Sequence, residues 1–236
     1  MIKRVLKPPK SNFGGVAFLR ISALYKTYGE RTELYVQECD GVVKALFAGY
    51  QSGFSLCADK TADFSELDEF FTFLGAEVFC EGEIANRLKP YKKTQVFIMR
   101  LEACSELVGA NHSRISEVYE ALSFGADGDI ELPEFDMWYT DFCLRFNHGV
   151  AEYSILENSV AVCGFMTETA SLITGVAVKP SKRGKGEGKR AVVSLITAIK
   201  EKYKNSEIYA AASLPKIPFY EKCGFVFEEN CAVLKY

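Results

Sequence analysis

The sequence lacks the features that mark several large protein classes. No apolar run approaches the roughly 20 residues of a membrane-spanning helix. The basic N-terminus, MIKRVLKPPKSNFGG, has no apolar core of the kind that a signal peptide needs. A net charge of −3 argues against general nucleic-acid binding. We therefore expect a cytoplasmic protein with neither a membrane nor a nucleic acid as partner.

Metal-binding and disulfide patterns are also missing. The only two histidines, His112 and His148, are isolated and show no ligand spacing, so no metal is expected. The eight cysteines are dispersed and form no C-x-x-C pair. This arrangement favours reduced thiols in a cytosolic protein over a disulfide framework.

What is present suits a globular chain. The 236 residues are 48% hydrophobic and 25% charged, which allows one large domain or two small ones. The pattern of helices and strands predicts an α/β fold, with a mixed sheet of the α+β kind. A fresh helix–helix–strand series starts near residues 102–110, so we predict an N-terminal lobe at 1–105 and a second domain at 106–236.

The elements follow from hydrophobic periodicity and turn signals. In the first lobe we predict a helix ending at Gly29, a hairpin turning at Asp40-Gly41, and a helix opened by a capping box of Asp63 and Glu66. The ranges are helices near 16–28 and 63–75, and strands 32–38, 42–50, 77–84 and 94–101. In the second domain they are helices 113–122, 133–146, 188–204 and 216–224, strands 151–157, 159–169, 172–180 and 207–213, and a terminal strand pair within 225–236.

A basic, glycine-dotted loop, SKRGKGEGKR at 181–190, joins a strand to a helix. It is not a P-loop, because Arg183 stands where the first glycine is required and Arg190 where Ser or Thr is required. It is not the Rossmann fingerprint either, because its glycines follow the spacing G-x-G-x-G. Nevertheless, glycines expose backbone N–H groups and a helix start attracts anions. Between residues 179 and 204 there are nine Lys or Arg against two Glu, so the loop favours an anionic ligand.

A short internal sequence similarity links the two halves. EFFTFLGAEVF at 69–79 and PFYEKCGFVF at 218–227 align on Gly75 and Gly224, which pairs Phe71 with Tyr220. Both segments read as an aromatic helix, a glycine and an aromatic strand. Helix–glycine–strand joints are common, so the similarity is either coincidental or the trace of a duplicated domain.

Two motifs carry a family resemblance. V-x-V-x-P-x-x-R-G-x-G-x-G, from Val176 to Gly188, resembles the coenzyme A signature of the GNAT (GCN5-related) N-acetyltransferase superfamily, and FYEKCGF at 219–225 resembles that family's second landmark. The resemblance covers roughly residues 113–236. It implies a GNAT acyl-CoA N-acyltransferase fold, with acetyl-CoA as cosubstrate and no metal.

The resemblance also implies a coenzyme site. The diphosphate would lie on the loop, and the pantetheine arm would pair with a strand that parts from its neighbour, with a bulge that Gly175 permits. Ser213 stands where the family often has Asn. The implied contacts are Val176, Ala177, Val178, Arg183, Gly184, Lys185, Gly186, Glu187, Gly188, Lys189 and Ser213.

By the same resemblance, Tyr220 is the catalytic candidate, since a phenol can protonate the departing thiolate. The base is open. His148, Glu152 and Glu168 are candidates, whereas Leu172 occupies the position where some members carry Glu.

We therefore expect an N-acetyltransferase that moves the acetyl group of acetyl-CoA to a primary amine, of a small molecule or a peptide, by direct transfer. The alternative is a non-catalytic acyl-CoA-binding or interaction module with the same fold. The N-terminal lobe lacks R-x-x-G-x-G. If it is a degenerate GNAT-like repeat, it shapes the acceptor cleft or forms a homodimer, and the sequence leaves both open.

Overall fold

The computed structural model describes residues 1–10, 12–50, 53–104, 109, 114–125 and 132–236. The chain divides into two compact units. Unit 1 comprises Met1–Ile98 and Glu228–Tyr236, and unit 2 comprises Met99–Phe227. The predicted boundary between residues 105 and 106 stays a prediction. Within the described ranges, no helix is both long enough and apolar enough to cross a bilayer.

Unit 1 is a sheet with helices. Its elements are β1 (Ile2–Arg4), α1 (Gly15–Tyr28), β2 (Glu33–Cys39), β3 (Val42–Tyr50), β4 (Gly53–Ala58), α2 (Phe64–Leu74), β5 (Glu77–Glu81), α3 (Gly82–Ala85) and the start of β6 (Lys92–Leu101). Neighbours β1 to β4 pair antiparallel in chain order, and β4 pairs parallel with β5. Residues 231–235 of the last strand, β11 (Phe225–Lys235), pair antiparallel with β5 and complete the unit.

Local chemistry explains the ends of these elements. Asp40 and Gly41 have φ values of 51° and 76°, as the tight β2–β3 turn requires. The Asp63 side chain accepts hydrogen bonds from the backbone N–H groups of Ser65 and Glu66, so it caps α2. Glu66 does not return the bond as a capping box would, because it accepts from the N–H of Ile2 instead.

Unit 2 is built on a second sheet segment. Its elements are α4 (Ile115–Leu122), α5 (Phe135–Asn147), β7 (Glu152–Leu156), β8 (Ser159–Met166), β9 (Ala170–Val178), α6 (Glu187–Lys202), β10 (Glu207–Ala212), α7 (Ile217–Lys222) and the start of β11. β7, β8 and β9 pair antiparallel in chain order, and β9 pairs parallel with β10.

Helices cover both faces of this segment. Tyr153 of β7 packs on Phe142 of α5, while the next residue, Ser154, donates to the Ser194 hydroxyl of α6. Because successive strand residues point to opposite faces, α4–α5 and α6 lie on opposite sides of the strands. The result is a three-layer α/β unit with a mixed sheet, as the sequence predicted.

Three expectations need correction. Residues 53–58 form β4, a strand that the sequence analysis missed. Residues 82–84, expected to complete the strand 77–84, belong instead to the short helix α3 (Gly82–Ala85). The C-terminus is one continuous strand and not a strand pair.

With β4 in place, both units follow one order. Three antiparallel strands are followed by a helix, a parallel strand, a short helix and a further strand. By this order α2 corresponds to α6 and α3 corresponds to α7. The expected pairing of Phe71 with Tyr220 is therefore wrong, because Phe71 lies on α2 and Tyr220 on α7.

Candidate active site

The two parallel strands of unit 2 separate at one end. Their ladder runs to Ile173 opposite Ala210, and both strands continue, β9 to Val178 and β10 to Ala212. A cleft of about 770 Å³ is lined by residues 174–178 and 211–213 of these strand ends. The expectation that β9 parts from its neighbour is confirmed.

A bulge marks the separation. The partners of Gly175 and Ile173 are consecutive residues on β8, so Thr174 is an extra residue on β9. A Cβ on Gly164 of β8 would lie 2.7 Å from the Oγ1 atom of Thr174. Gly164 therefore leaves room for Thr174, whose exposed side chain lines the cleft. The bulge expected at Gly175 is confirmed.

The three loop glycines have different roles. Gly184 and Gly186 have φ values of 75° and 84°, the left-handed region, and an added Cβ at either would meet no atom within 4 Å. A Cβ on Gly188 would lie 3.0 Å from the Phe219 ring. The first two glycines therefore shape an open cradle, and the third lets α6 approach α7 closely.

The start of α6 has free hydrogen-bond donors. The helix begins after Gly186, which offers no side-chain cap, and the N–H of Arg190 makes the first helical bond, to the Gly186 carbonyl at 3.1 Å. The N–H groups of residues 187–189 precede that bond and have no helical carbonyl to meet. Together with the positive end of the helix dipole, they form a site suited to an anion.

Basic side chains surround this helix start. The cleft is lined by Lys182, Arg183, Lys189, Lys216 and Lys222. Glu187, the acidic residue among those that line the cleft, is paired with Arg190 at 3.3 Å. Arg183 donates to the carbonyl oxygens of Phe124 at 2.6 Å and Val178 at 3.3 Å, so its guanidinium ties the loop to its surroundings.

Tyr220 lies on α7 at the same cleft. Its ring is 5% exposed and packs edge-on against Phe219 and Phe225, with centroids 5.0 and 5.6 Å away. Burial raises the pKa of Tyr220 above its ordinary value, with a smaller contribution from Cys223. The phenol therefore keeps its proton at neutral pH.

Gly224 fixes the end of α7. Its φ is 92°, and the carbonyl oxygen of Ala103 touches the place where a Cβ would stand. The Gly224 carbonyl in turn accepts from the N–H groups of Glu102 and Ala103. The glycine of FYEKCGF thus permits a close backbone contact that holds α7, and Tyr220 with it.

The predicted coenzyme contacts mostly share this cleft. Val176, Ala177, Val178, Arg183, Gly184, Gly186, Glu187, Gly188, Lys189 and Ser213 all line it, and Lys185 does not. Lys185 reaches back to the Ser181 carbonyl at 3.3 Å. Their binding roles stay predictions.

The three candidate bases do not line the cleft. His148 is exposed at the end of α5, with Nδ1 2.8 Å from the Leu144 carbonyl. Glu152 is buried, and its Oε2 lies 3.8 Å from Nζ of Lys202. Glu168 is exposed in the β8–β9 turn, at the opposite end of β9 from Val178. The structure does not bring any of them together with Tyr220.

Sequence reasoning missed several lining residues, among them Thr174 and Lys216. Thr174 stands between the fully buried Leu172 and the bulge glycine, and the signal that could have found it is the matched glycines at 164 and 175. Lys216 comes from the turn before α7, outside the basic run that the charge count covered.

Comparison with known proteins agrees with this geometry. Residues 145–227 match the family model described as Acetyltransferase (GNAT) domain. A search of curated proteins found no match.

Solved structures resemble the whole chain in fold. A GCN5-related N-acetyltransferase from Kribbella flavida is 11% identical with a TM-score of 0.58, over 94% of this chain and 96% of that one. A GNAT-family acetyltransferase from Colwellia psychrerythraea is 10% identical with a TM-score of 0.53, over 100% and 99%. A tandem GNAT protein from the clavulanic acid biosynthesis pathway is 9% identical with a TM-score of 0.53, over 92% and 87%. At these identities the likeness concerns the fold alone.

Proposed function

We propose, on the premise that residues 145–227 match the family model described as Acetyltransferase (GNAT) domain, that the protein transfers the acetyl group of acetyl-CoA to a primary amine. The acceptor amine belongs to a small molecule or a peptide, and the transfer is direct. The observation that carries the proposal is one cleft that contains an uncapped helix start, two separated strand ends and a protonated tyrosine.

The cleft suits the cosubstrate in charge and shape. The diphosphate of acetyl-CoA would accept from the N–H groups of residues 187–189, over the open cradle of Gly184 and Gly186. Lys182 and Lys189 would add attraction from the cleft wall. The pantetheine arm would extend the sheet at residues 176–178, and the Ser213 hydroxyl is available as a further partner.

Tyr220 would act on the leaving group. A neutral amine forms a bond to the acetyl carbon, and the bond from that carbon to sulfur breaks. The Tyr220 hydroxyl donates its proton to the departing sulfur, a thiol of ordinary pKa about 8.5, and the acetylated nitrogen loses its extra proton to solvent. The phenol regains its proton from solvent between turnovers. His148, Glu152 and Glu168 remain proposals for a base that acts through water.

We place the reaction in the cytoplasm, because the eight cysteines, all of them within the described residues, are reduced thiols, and reduced thiols persist in a reducing compartment. We further propose that unit 1 is a GNAT-like repeat without a coenzyme site, in a chain that can form a homodimer. An acetyl-CoA titration that gives one site per chain supports the single coenzyme site, and two sites would contradict it.

Release of free thiol from acetyl-CoA tests the activity. We expect release to depend on an added amine, across a panel that includes alkyl amines and peptides, and mass spectrometry of the amine to show a gain of one acetyl group. Acetyl-CoA that binds without turnover on any amine would instead support a non-catalytic acyl-CoA-binding module. Failure to bind acetyl-CoA would reject both.

A further inference from the structure

The sequence from residue 115 to residue 144, which contains α4 and most of α5, is rich in acidic residues. Between residues 115 and 144 the sequence contains no Lys or Arg, although the whole chain has a net charge of only −3. The acidic residues in this stretch are Glu117, Glu120, Asp127, Asp129, Glu131, Glu134, Asp136 and Asp141. Such a local excess is enough to attract a cation over a Debye length of about 8–10 Å.

The same helices expose aromatic side chains. The rings of Tyr119 and Phe135 are 5.1 Å apart, and the rings of Phe135 and Tyr139 are 5.4 Å apart. Phe135 and Tyr139 are each 39% exposed. We call Tyr119, Phe135 and Tyr139 the aromatic band. Exposed rings on a helix surface offer faces to ammonium and guanidinium groups.

Acidic side chains flank the aromatic band closely along the chain. Glu120 follows Tyr119, and Glu134 and Asp136 stand on either side of Phe135, all three exposed. Asp141, by contrast, is paired with Arg145 at 2.9 Å and contributes less net charge. The surface therefore combines aromatic faces with nearby carboxylates, a chemistry that is complementary to Lys and Arg side chains.

The C-terminal end of α4, one of the two helices that carry this surface, lies at the cleft within unit 2. α4 ends in the short turn Ser123–Gly125, and Gly125 lines the cleft. The Phe124 carbonyl accepts from Arg183, and a Cβ on Gly175 would lie 3.2 Å from Leu122. A molecule held on α4 and α5 can thus extend to the strand ends where the acetyl group would be.

We propose that the acceptor is a Lys- and Arg-rich peptide that docks on the aromatic band and its flanking carboxylates. The proposal rests on the proposed acetyltransferase function and names its substrate class. A peptide fits better than a small polyamine, because the apolar stems of Lys and Arg side chains contact Phe135 and Tyr139 while their charged ends meet the carboxylates.

Binding of a defined probe tests this surface without any turnover. The probe is a fluorescently labelled ten-residue peptide of alternating Lys and Gly, with a Ser and Gly peptide as its neutral match, measured by anisotropy with the full chain. The triple variant Glu120→Gln, Glu134→Gln and Asp136→Asn should bind the Lys peptide about tenfold more weakly, since three exposed ion pairs are lost. A control with the same charge change, Glu30→Gln, Glu69→Gln and Glu201→Gln, should change binding by less than about twofold.

A second variant separates the rings from the charges. Phe135→Leu with Tyr139→Leu keeps apolar area but removes the ring faces, and we expect a loss of about three- to tenfold. Circular dichroism confirms folding in each variant. Equal binding by wild type and the acidic triple variant, or tighter binding of spermine than of the Lys peptide, would overturn the proposal.

The two proposals fail separately. The acidic and aromatic variants should keep wild-type affinity for acetyl-CoA in calorimetry. If wild type does not bind acetyl-CoA, the proposed function fails, whereas the peptide titration still decides whether the surface binds cations.

Discussion

Helix α2 of unit 1 and helix α6 of unit 2 occupy equivalent places, but the residue that precedes each helix differs. In unit 1 the carboxylate of Asp63 accepts from Ser65 and Glu66 at 3.0 and 3.1 Å, so the start of α2 is already occupied. In unit 2 the equivalent residue is Gly186, which has no side chain, and the start of α6 is open. An anion site in this fold is therefore made by omitting a cap.

The strands beside these helices also differ, in how far they continue beyond their parallel pairing. In unit 1 the parallel ladder runs to Leu56 opposite Cys80, and β4 ends soon after at Ala58. In unit 2, β9 continues from Ile173 to Val178 beyond the ladder. On the proposed function, the longer strand end would offer its main chain to a pantetheine arm, and the shorter one would not.

Placing the cap of unit 1 into unit 2 should have the largest effect. Gly186→Asp puts a carboxylate at the diphosphate site, where like charges repel by several kcal/mol, and we expect acetyl-CoA affinity to fall at least about 100-fold. Gly186→Asn is the matched control, because Asn has nearly the same shape and tolerates left-handed φ. Calorimetry should show a much smaller loss for Asn, and equal losses would contradict an anion site.

Tyr220→Phe should have the next largest effect. We expect kcat to fall about 10- to 100-fold, since a proton donor is lost and water replaces it in part. Affinity for acetyl-CoA should change less than about twofold. Tyr236→Phe, which removes a hydrogen bond to Asp68 in unit 1, serves as control and should leave kcat unchanged. A wild-type kcat in Tyr220→Phe would remove the phenol from the mechanism.

Removing the cap of unit 1 should affect stability alone. Asp63→Ala loses two hydrogen bonds at the start of α2 and should cost about 1 kcal/mol, or about 2–4 °C in Tm. Acetyl-CoA affinity should stay at the wild-type value. If this variant gained a second coenzyme site, the cap alone would explain why unit 1 does not bind the coenzyme.

Substitution of Glu81 in unit 1 should have the smallest effect, a change in Tm that depends on pH. Burial, with a smaller contribution from Glu83, raises the pKa of Glu81. A raised carboxyl pKa adds stability below the unfolded pKa, near pH 4, and that stability is lost as pH rises through the folded value. Glu81→Gln should therefore raise Tm slightly at pH 7 and leave it unchanged near pH 4. A Tm shift of equal size at pH 7 and near pH 4 would contradict the raised pKa of Glu81 as its cause.

The sequence predicted much of this structure because its signals are local. Asp40-Gly41, Asp63 and Gly75 act through a few neighbouring residues, and the positions of their elements are confirmed. The glycines at 184–188 likewise predicted an open loop at a helix start. These features depend on φ angles and caps, which single residues determine.

What the sequence did not reveal depends on long-range pairing. The last residues of the chain, 231–235, pair with β5, some 150 residues earlier, and no local pattern encodes that choice. β4 was missed because its six residues carry Gly, Ser and Cys among few large apolar residues. Aligning Gly75 with Gly224 paired Phe71 with Tyr220, although the two lie on helices that do not correspond.

Hydrogen exchange with and without acetyl-CoA tests the central contrast between the two helix starts most directly. The coenzyme should slow exchange at the amides of residues 187–189 and 176–178, and should leave exchange at residues 63–66 unchanged. Slowed exchange at the start of α2, or no change at the start of α6, would contradict that contrast.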